Sequence, residues 1–384
     1  MKLDPIAVST LVASYCHHQL LGAARLISWH GGTTTIMVNA PPPSTQPSDR
    51  FAPFVRRDWY GTGGQHAQPA AERLRLTVAS LTLLPLRALL LLLCIASYWC
   101  ITKLSGLLLP KPQHLQVIAV SGAIWSRALL FIVGFWRIKW VAVADSVCDT
   151  TASRDRPAGS LQQRSGGRQG GAASGGATAA SVGAQEEPQL PRQLGGIVSN
   201  HVGWVDIFVH AAHSFPAFVA KDGTQRIPVF GHFSRLLQCL YVDRERGGQG
   251  TAQMVKHRMQ VTSLGRDPSQ RPMLLFPEGT TSNGLHLLPF KSGAFLAGVP
   301  LQPIILEYGV QGRVSPAWES IDAARHLFLL LCEPVHTLTC YKLPVYTPSS
   351  AETADPLLYA ANMHSYMVSK SRSTLSHSFM LIDT

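Results

Sequence analysis

A histidine and an aspartate stand five residues apart in the stretch SNHVGWVDI, as His201 and Asp206. Burying such a pair costs free energy unless the two groups bond to each other. The pair is also the usual means of making an imidazole into a base. Residues five apart on one continuous helix point about 140° apart, so direct contact requires His201 in a turn and Asp206 in the first helical turns. The alternative is a helix-capping Asp206 beside a surface histidine.

A second polar group ends another apolar run, in the stretch LLFPEGTTSNG. Glu278, Gly279, Thr280 and Thr281 place a carboxylate and two hydroxyls beside a glycine that lets a ligand approach the backbone. In α/β proteins, ligands tend to bind at the carboxyl ends of strands. The plainer interpretation is an ordinary strand exit into turn residues.

Two more stretches follow apolar runs in the same way. In YVDRER, Arg244 comes after a predicted strand, where a guanidinium can bind a phosphate through two parallel hydrogen bonds. A surface ion pair with Asp243 is the alternative. In LAGVPLQPIILEY, Gly298 and Pro300 open a strand, which gives an apolar wall suited to an acyl chain. A plain core strand explains them equally well.

From residue 194 onward, short apolar runs alternate with helical patterns. The predicted strands are Leu194–Ser199, Ala217–Ala220, Leu236–Val242, Pro272–Phe276, Leu301–Glu307 and Leu327–Cys332. The predicted helices are Val202–His213, Gly250–Leu264 and Ser292–Ala297. This alternation predicts an α/β fold with a mostly parallel central sheet flanked by helices.

Two apolar segments precede that region. Ala88–Ile101 is shorter than the roughly 20 residues that a straight span needs, and Leu115–Trp136 is long enough but contains Arg127. Pro110 and Pro112 force a turn between them. Basic residues on both flanks place both ends on the cytosolic side. The pattern predicts a helical membrane hairpin, either re-entrant or crossing twice; two buried core helices are the alternative.

These patterns divide the chain into five parts. We expect a poorly defined N-terminal region at 1–72, the membrane-embedded hairpin at 73–145, a disordered Gly/Ala/Ser-rich linker at 146–193, a catalytic domain at 194–370 and a tail at 371–384.

Composition narrows the possible partners. The chain has 384 residues, of which 46% are hydrophobic and 14% charged, with a formal net charge of +11. Such a protein suits an anionic membrane surface or substrate, and it has no dense basic run that would indicate nucleic acid. The seven cysteines are scattered without a CxxC, which argues against a zinc site or a disulfide framework. We assign His210 and His213 a structural role and expect no metal.

Together the four blocks resemble the glycerolipid acyltransferase superfamily. NHVGWVD is similar to its His-x4-Asp signature, FPEGT to its Glu-Gly block, and YVDR and GVPLQPI to its other two blocks. SNHVGWVDI, EGTTSNG and LLPFKSGAFLAGVPLQP most resemble the lysophosphatidylcholine and lysophosphatidylethanolamine branch. The resemblance runs from about Arg57 to Met367, without the linker.

The resemblance implies transfer of a fatty acyl group from acyl-CoA, as co-substrate, to the free hydroxyl of a lysophospholipid, with no bound cofactor. It makes His201 the base and Asp206 its partner. It assigns acceptor binding to Arg244, Glu278, Gly279, Thr280 and Thr281, and the acyl pocket to Val299 and Pro300. By family habit the enzyme lies in the endoplasmic reticulum membrane with its catalytic domain facing the cytosol; a plastid is the alternative.

Two positions depart from the family pattern. Relatives often carry Ser where Gly203 stands. Relatives that act on lysophosphatidate usually carry Arg where Thr281 stands, which argues against the alternative of a glycerol-3-phosphate or lysophosphatidate acyltransferase. A non-catalytic membrane scaffold that kept the fold is the remaining alternative. A Ser–His–Asp hydrolase is not indicated, since the chain has no GxSxG.

Overall fold

The computed structural model describes most of the chain between residues 51 and 374. The described ranges are 51–56, 58, 60, 69–144, 194–226, 230–242, 249–265, 270–309, 314–318 and 321–374. The described residues on the two sides of segment 144–191 belong to one compact unit. The predicted linker, Arg244 and most of the predicted N-terminal region and tail therefore lie outside the described residues.

Seven strands form one sheet in the described part of the chain. They are β1 (Arg137–Ala142), β2 (Gly196–Ser199), β3 (Ala217–Lys221), β4 (Leu240–Val242), β5 (Met273–Leu275), β6 (Leu301–Tyr308) and β7 (Thr337–Lys342). Their order in space is β1-β7-β6-β2-β5-β3-β4. Neighbours are parallel except β6 and β7. The carboxyl ends of the central strands β2, β5 and β6 therefore lie side by side. We call this end of the sheet, where these strands finish, the catalytic edge.

Helices cover both faces of this sheet. They are α1 (Ala70–Leu81), α2 (Leu83–Leu108), α3 (Lys111–Val133), α4 (Val205–Ser214), α5 (Phe230–Leu236), α6 (Gln249–Ser263), α7 (Ala323–Cys332), α8 (Ser350–Ala354) and α9 (Pro356–Thr374). One buried apolar cluster joins α3, α4 and α7 to one face of the sheet, and a second packs α6 and α9 against the other. The predicted fold class is confirmed.

The predicted hairpin consists of α2 and α3, each long and apolar enough to cross a membrane by length and composition. Helix α2 begins upstream of the predicted apolar run because Pro85 falls in its first turn, where a missing N–H leaves no helical bond unmade. The hairpin ends earlier than the predicted boundary at 145. Residues Arg137–Ala142 are strand β1, which pairs with β7 along its length.

Polar side chains of the hairpin face the rest of the protein. Arg87, only 3% exposed, donates to the carbonyls of Glu333 at 2.6 Å and Pro334 at 2.8 Å, just past the end of α7. Near the other end of α2, the Thr102 hydroxyl lies 3.0 Å from Nε2 of His232 on α5. Large apolar side chains remain exposed on these helices, among them Leu89, Leu92, Leu93, Leu107 and Ile124.

Three further elements differ from the sequence predictions. Leu327–Cys332 is not a strand but the end of α7, whose first turn is capped by the Asp322 carboxylate, 2.9 Å from the N–H of Ala324. A short apolar run fits a buried strand and a buried helix equally well. Predicted strand Leu236–Val242 shrinks to β4 because α5 occupies its start, and predicted helix Ser292–Ala297 is a 3₁₀ turn at Ser292–Ala294.

Candidate active site

His201 and Asp206 are in direct contact at the catalytic edge. His201 lies in the turn between β2 and α4, and Asp206 lies in the first turn of α4. Their side chains meet with Nδ1 of the histidine 2.8 Å from Oδ2 of the aspartate. Because Asp206 holds the Nδ1 proton, Nε2 is left as the basic nitrogen. The imidazole ring also stacks on Phe276, with ring centroids 4.0 Å apart.

The carboxylate of Asp206 is fully buried and held by several donors. Oδ2 also accepts the backbone N–H groups of Val202 at 2.6 Å and Gly203 at 3.0 Å. Oδ1 accepts the hydroxyl of Tyr308. Hydrogen bonds of this kind stabilise the charged form of a carboxylate. The aspartate is therefore suited to orient the imidazole and to stabilise its cation.

The turn that carries His201 is fastened to β6 by the preceding residue. The side-chain amide of Asn200 donates to the carbonyl of Leu306 at 3.0 Å and accepts the N–H of Leu306 at 2.8 Å. It thus continues the β2–β6 ladder by one more residue. The position of the histidine is fixed relative to the carboxyl end of β6, where Tyr308 lies.

Glu278 has a structural position rather than an open binding one. It is 3% exposed, and its two oxygens accept the N–H of His201 at 2.8 Å and of Leu288 at 3.0 Å. Burial raises the pKa of Glu278 to about 8, against the opposing effect of these two bonds. The described contacts make it a link between the catalytic turn and the loop near Leu288. Its predicted role in acceptor binding stays a prediction.

Gly279, Thr280 and Thr281 follow at the same edge. Gly279 has φ of +73°, a left-handed conformation that a side chain would strain. A Cβ there would lie 2.5 Å from Nζ of Lys291, so the lysine side chain covers this turn. Thr280 is exposed and Thr281 half-buried. A backbone turn, hydroxyls and an ammonium therefore share one surface beside the histidine.

Val299 and Pro300 are not brought to the dyad. Strands β2 and β6 run parallel with Gly196 opposite Leu301, so residues that precede β6 lie beside the start of β2. His201 follows the end of β2 and lies at the opposite edge of the sheet. Both residues are buried, and Val299 belongs to the apolar core. Their predicted role in an acyl pocket stays a prediction.

Gly203 is explained by a close backbone approach. A Cβ at this position would lie 2.8 Å from the carbonyl oxygen of Pro316, and the N–H of Trp318 donates to the carbonyl of Val202 at 3.3 Å. Loop 314–318 therefore closes over the catalytic turn. In this chain a serine at residue 203 would push that loop away.

An N-terminal strap, residues 51–56 with Asp58 and Tyr60, holds this loop in place. Arg56 is 4% exposed; it pairs with Asp58 at 2.6 Å and donates to the carbonyls of Ser315 at 2.8 Å and Ala317. On the other side of the site, the Asn283 amide donates to the carbonyl of Ala52 at 2.8 Å. Part of the predicted region 1–72 is thus built into the catalytic unit.

Of the two other histidines of α4, His210 is buried and His213 is exposed, and both are neutral near pH 7 because their pKa values are lowered. His210 is fully buried, and burial lowers its pKa to about 3. His213 stacks on Trp140 with ring centroids 3.7 Å apart, and burial lowers its pKa. Among the residues that the structure describes, no group of three or more His, Cys, Asp or Glu side chains is placed to hold a metal ion.

Sequence reasoning missed Tyr308, Phe276 and Asn200. Each was part of a quoted or predicted stretch, yet none was assigned a role. Tyr308 directly follows the predicted strand Leu301–Glu307, but only the structure shows that this strand lies beside β2.

Comparison with known proteins agrees with this geometry. A family model described as Acyltransferase matches residues 184–307. Lysophospholipid acyltransferase LPEAT1 from Arabidopsis thaliana is 37% identical over 355 residues, which cover 85% of this chain and 83% of that protein. The chain belongs to the glycerolipid acyltransferase superfamily. His201 and Asp206 lie within the matched residues and have the spacing of the His-x4-Asp signature.

Two further similarities are narrower. Lysophospholipid acyltransferase LPCAT4 from Homo sapiens is 34% identical to the acyltransferase over 172 residues, 44% of this chain and 32% of that protein. The match thus spans about a third of the human relative. The solved structure of the 1-acyl-sn-glycerophosphate acyltransferase PlsC from Thermotoga maritima aligns with a TM-score of 0.38 and 14% identity, over 73% of this chain and 97% of that one.

Proposed function

We propose that this acyltransferase transfers a fatty acyl group from acyl-CoA to the free hydroxyl of a lysophospholipid, with lysophosphatidylcholine or lysophosphatidylethanolamine as acceptor. The observation that carries the proposal is the contact of His201 Nδ1 with Asp206 Oδ2 at 2.8 Å, which leaves Nε2 as a base. The names of the relatives supply the substrate class, since both are lysophospholipid acyltransferases.

The reaction follows from the dyad. Nε2 of His201 takes the proton of the acceptor hydroxyl while the hydroxyl oxygen attacks the carbonyl carbon of the thioester. Asp206 stabilises the imidazolium that forms. The tetrahedral intermediate collapses, the C–S bond breaks, and the CoA thiolate leaves and receives the proton from the imidazolium. The new bond is the ester of the product, and no acyl-enzyme is formed.

The catalytic edge suits an anionic acceptor, because Lys291 covers the turn at Gly279. We place the phosphate of the lysophospholipid near this turn, together with Arg244, which follows β4. The apolar faces of α2 and α3 support work at a membrane. The endoplasmic reticulum and the cytosolic orientation remain part of the proposal.

The test is acyl transfer by membranes that contain the wild-type chain or His201→Ala. Labelled acyl-CoA is supplied with lysophosphatidylcholine, lysophosphatidylethanolamine, lysophosphatidate or glycerol 3-phosphate. We expect His201→Ala to lower transfer by about 10³-fold or more, because a general base is lost, without loss of membrane association.

His257→Ala is the matched control, since His257 is exposed on α6, which packs on the opposite face of the sheet from α4. It is expected to retain wild-type transfer. The best acceptor in the panel names the substrate. Folded wild-type protein that transfers to none of the four acceptors would overturn the proposal and favour a scaffold.

A further inference from the structure

The two oxygens of the Asp206 carboxylate have different partners. Oδ2 receives His201 and the two backbone N–H groups of the catalytic turn. Among the described residues Oδ1 has one donor, the hydroxyl of Tyr308. The charge of the carboxylate is therefore shared between the imidazole on one side and a phenol on the other.

The position of Tyr308 is fixed by the sheet. It is the last residue of β6 and pairs with Leu338 of β7. Two residues earlier, Leu306 is bonded in both directions to the side chain of Asn200, which immediately precedes His201. The ring of Tyr308 packs edge-on against Phe135, with ring centroids 6.0 Å apart. The phenol and the dyad are thus held by the same strand register.

The other titratable groups around Asp206 come from three elements. Glu278 reaches it from the loop after β5, His210 from α4 and Cys340 from β7. Burial lowers the pKa of His210 to about 3 and raises the pKa of Cys340 well above its ordinary range, so both are neutral near pH 7. Burial and the neighbouring carboxylate likewise raise the pKa of Tyr308 well above 10. The phenol therefore keeps its proton and stays a donor.

We propose that Tyr308 is a positioning residue for acyl transfer: its hydroxyl, bonded to Oδ1 of Asp206, sets how strongly the aspartate attracts the proton on His201. A donor on the far oxygen disperses the carboxylate charge. Without it, the full charge faces the imidazole, which then retains its proton to higher pH. This inference rests on the proposed function, in which His201 must be unprotonated to act.

The experiment is the pH dependence of kcat for Tyr308→Phe, with wild-type and Tyr359→Phe alongside. Tyr359 is a matched control because its hydroxyl is also buried and bonded, to the carbonyl of Val299 at 2.9 Å, but not to the dyad. We expect Tyr308→Phe to move the acidic limb of the profile to higher pH by about half a unit or more. We expect its plateau kcat to fall about ten-fold, the equivalent of one hydrogen bond, with KM values near wild type.

Tyr359→Phe is expected to leave the limb in place. If Tyr308→Phe lowers activity equally at every pH, as a structural role would, the inference is overturned. An unchanged profile and rate would overturn it too. Should the variant fold poorly, 3-fluorotyrosine placed at residue 308 keeps the shape and makes the hydroxyl a stronger donor. The acidic limb must then move to lower pH, and a limb that stays put overturns the inference.

A second readout does not depend on turnover and separates this inference from the proposed function. Diethyl pyrocarbonate modifies unprotonated imidazole, and the His201 side chain is 20% exposed. The rate of modification of the His201 peptide, followed by mass spectrometry from pH 5 to 8, must shift to higher pH in Tyr308→Phe. If wild-type protein transfers no acyl group, yet the modification profile of Tyr308→Phe is shifted to higher pH relative to wild type, the proposed function fails and the coupling of Tyr308 to the dyad stands.

Discussion

Both carboxylate oxygens of Glu278 are bonded within the protein, to the N–H groups of His201 and Leu288. A carboxylate beside a glycine and hydroxyls suggests a ligand site, but here both oxygens bind the backbone. Its pKa is raised to about 8 by burial, whereas an unfolded glutamate titrates near 4.5. An acid with a raised folded pKa stabilises the fold below its unfolded value and loses that contribution as the pH rises toward its folded value.

We therefore expect Glu278→Gln to destabilise the protein most near pH 5 and least near pH 8. The amide keeps one acceptor but places an NH₂ against the second N–H, which costs about 1–3 kcal/mol. As the pH rises from 5 to 8, the free energy of unfolding of the wild-type protein falls, whereas that of the variant does not. Thermal unfolding in detergent, measured from pH 5 to 8, checks this.

Kinetics of the same variant distinguish the two roles of Glu278. A structural link to His201 predicts a lower kcat with little change in acceptor KM. A raised acceptor KM, with a stability difference that is constant with pH, would favour the binding role predicted from the sequence.

The sequence predicts the contact between His201 and Asp206, but it does not predict the residue that bonds to the other oxygen of the aspartate. Five-residue spacing, an apolar run before it and a helix after it were enough to predict contact between His201 and Asp206. Tyr308 is about a hundred residues further along the chain, and only the pairing of β6 beside β2 brings it to Oδ1. Long-range pairing of this kind is not visible in local periodicity.

At the scale of elements, the hairpin lies along the catalytic unit. Arg87 and Thr102 contact α7 and α5 from positions fifteen residues apart on α2, which is about 22 Å of helix. A helix that crossed the bilayer would draw the polar surface of that unit into hydrocarbon, which is costly. Of the two arrangements left open by the sequence, these contacts favour a hairpin that does not cross.

We expect Lys111→Cys, at the first residue of α3, to react with a membrane-impermeant maleimide added to sealed microsomes from the cytosolic side. Labelling is read as a mass shift beyond that of the unsubstituted protein, which corrects for native cysteines. Reaction only after the vesicles are permeabilised would instead indicate two full crossings.

Element boundaries were predicted best where flanking signals agreed. The strands β2 and β5 lie within predicted runs, and β3 and β6 each extend one residue beyond theirs, because turn residues bound these segments. Cys332 and its preceding leucines form a helix because Asp322 caps its start and the hairpin covers it. The cap is a local signal, but the contact with the hairpin is not. Strand β1 was not predicted, because a short segment that directly follows an apolar helix resembles the polar flank of that helix.

At the scale of the molecule, one sheet is made from both sides of the segment 144–191. β1 precedes that segment, and its partner β7 follows it. The α3–α4 contact also joins the two sides, through the apolar cluster around Ile118 and Val209. Covalent continuity through the segment is therefore not what holds the catalytic unit together.

We expect residues 1–145 and 192–384, expressed together as two chains, to associate and retain acyl transfer. Co-purification through a tag on either chain, followed by the transfer assay, checks this; each chain alone is expected to be inactive. Two chains that are well expressed but fail to co-purify would contradict this reading of the sheet.

The position of β1 in the sheet also determines when the sheet can be completed during synthesis of the chain. Among the described strands β1 pairs with β7 alone, and about 200 residues separate the two along the chain. At about 5–20 residues per second, a ribosome takes roughly 10–40 s to cover that distance. The hairpin is out of the ribosome long before the strand next to it has a partner. The last strand made is the one that closes the sheet, so a nascent chain can reach the membrane well before it can become an enzyme.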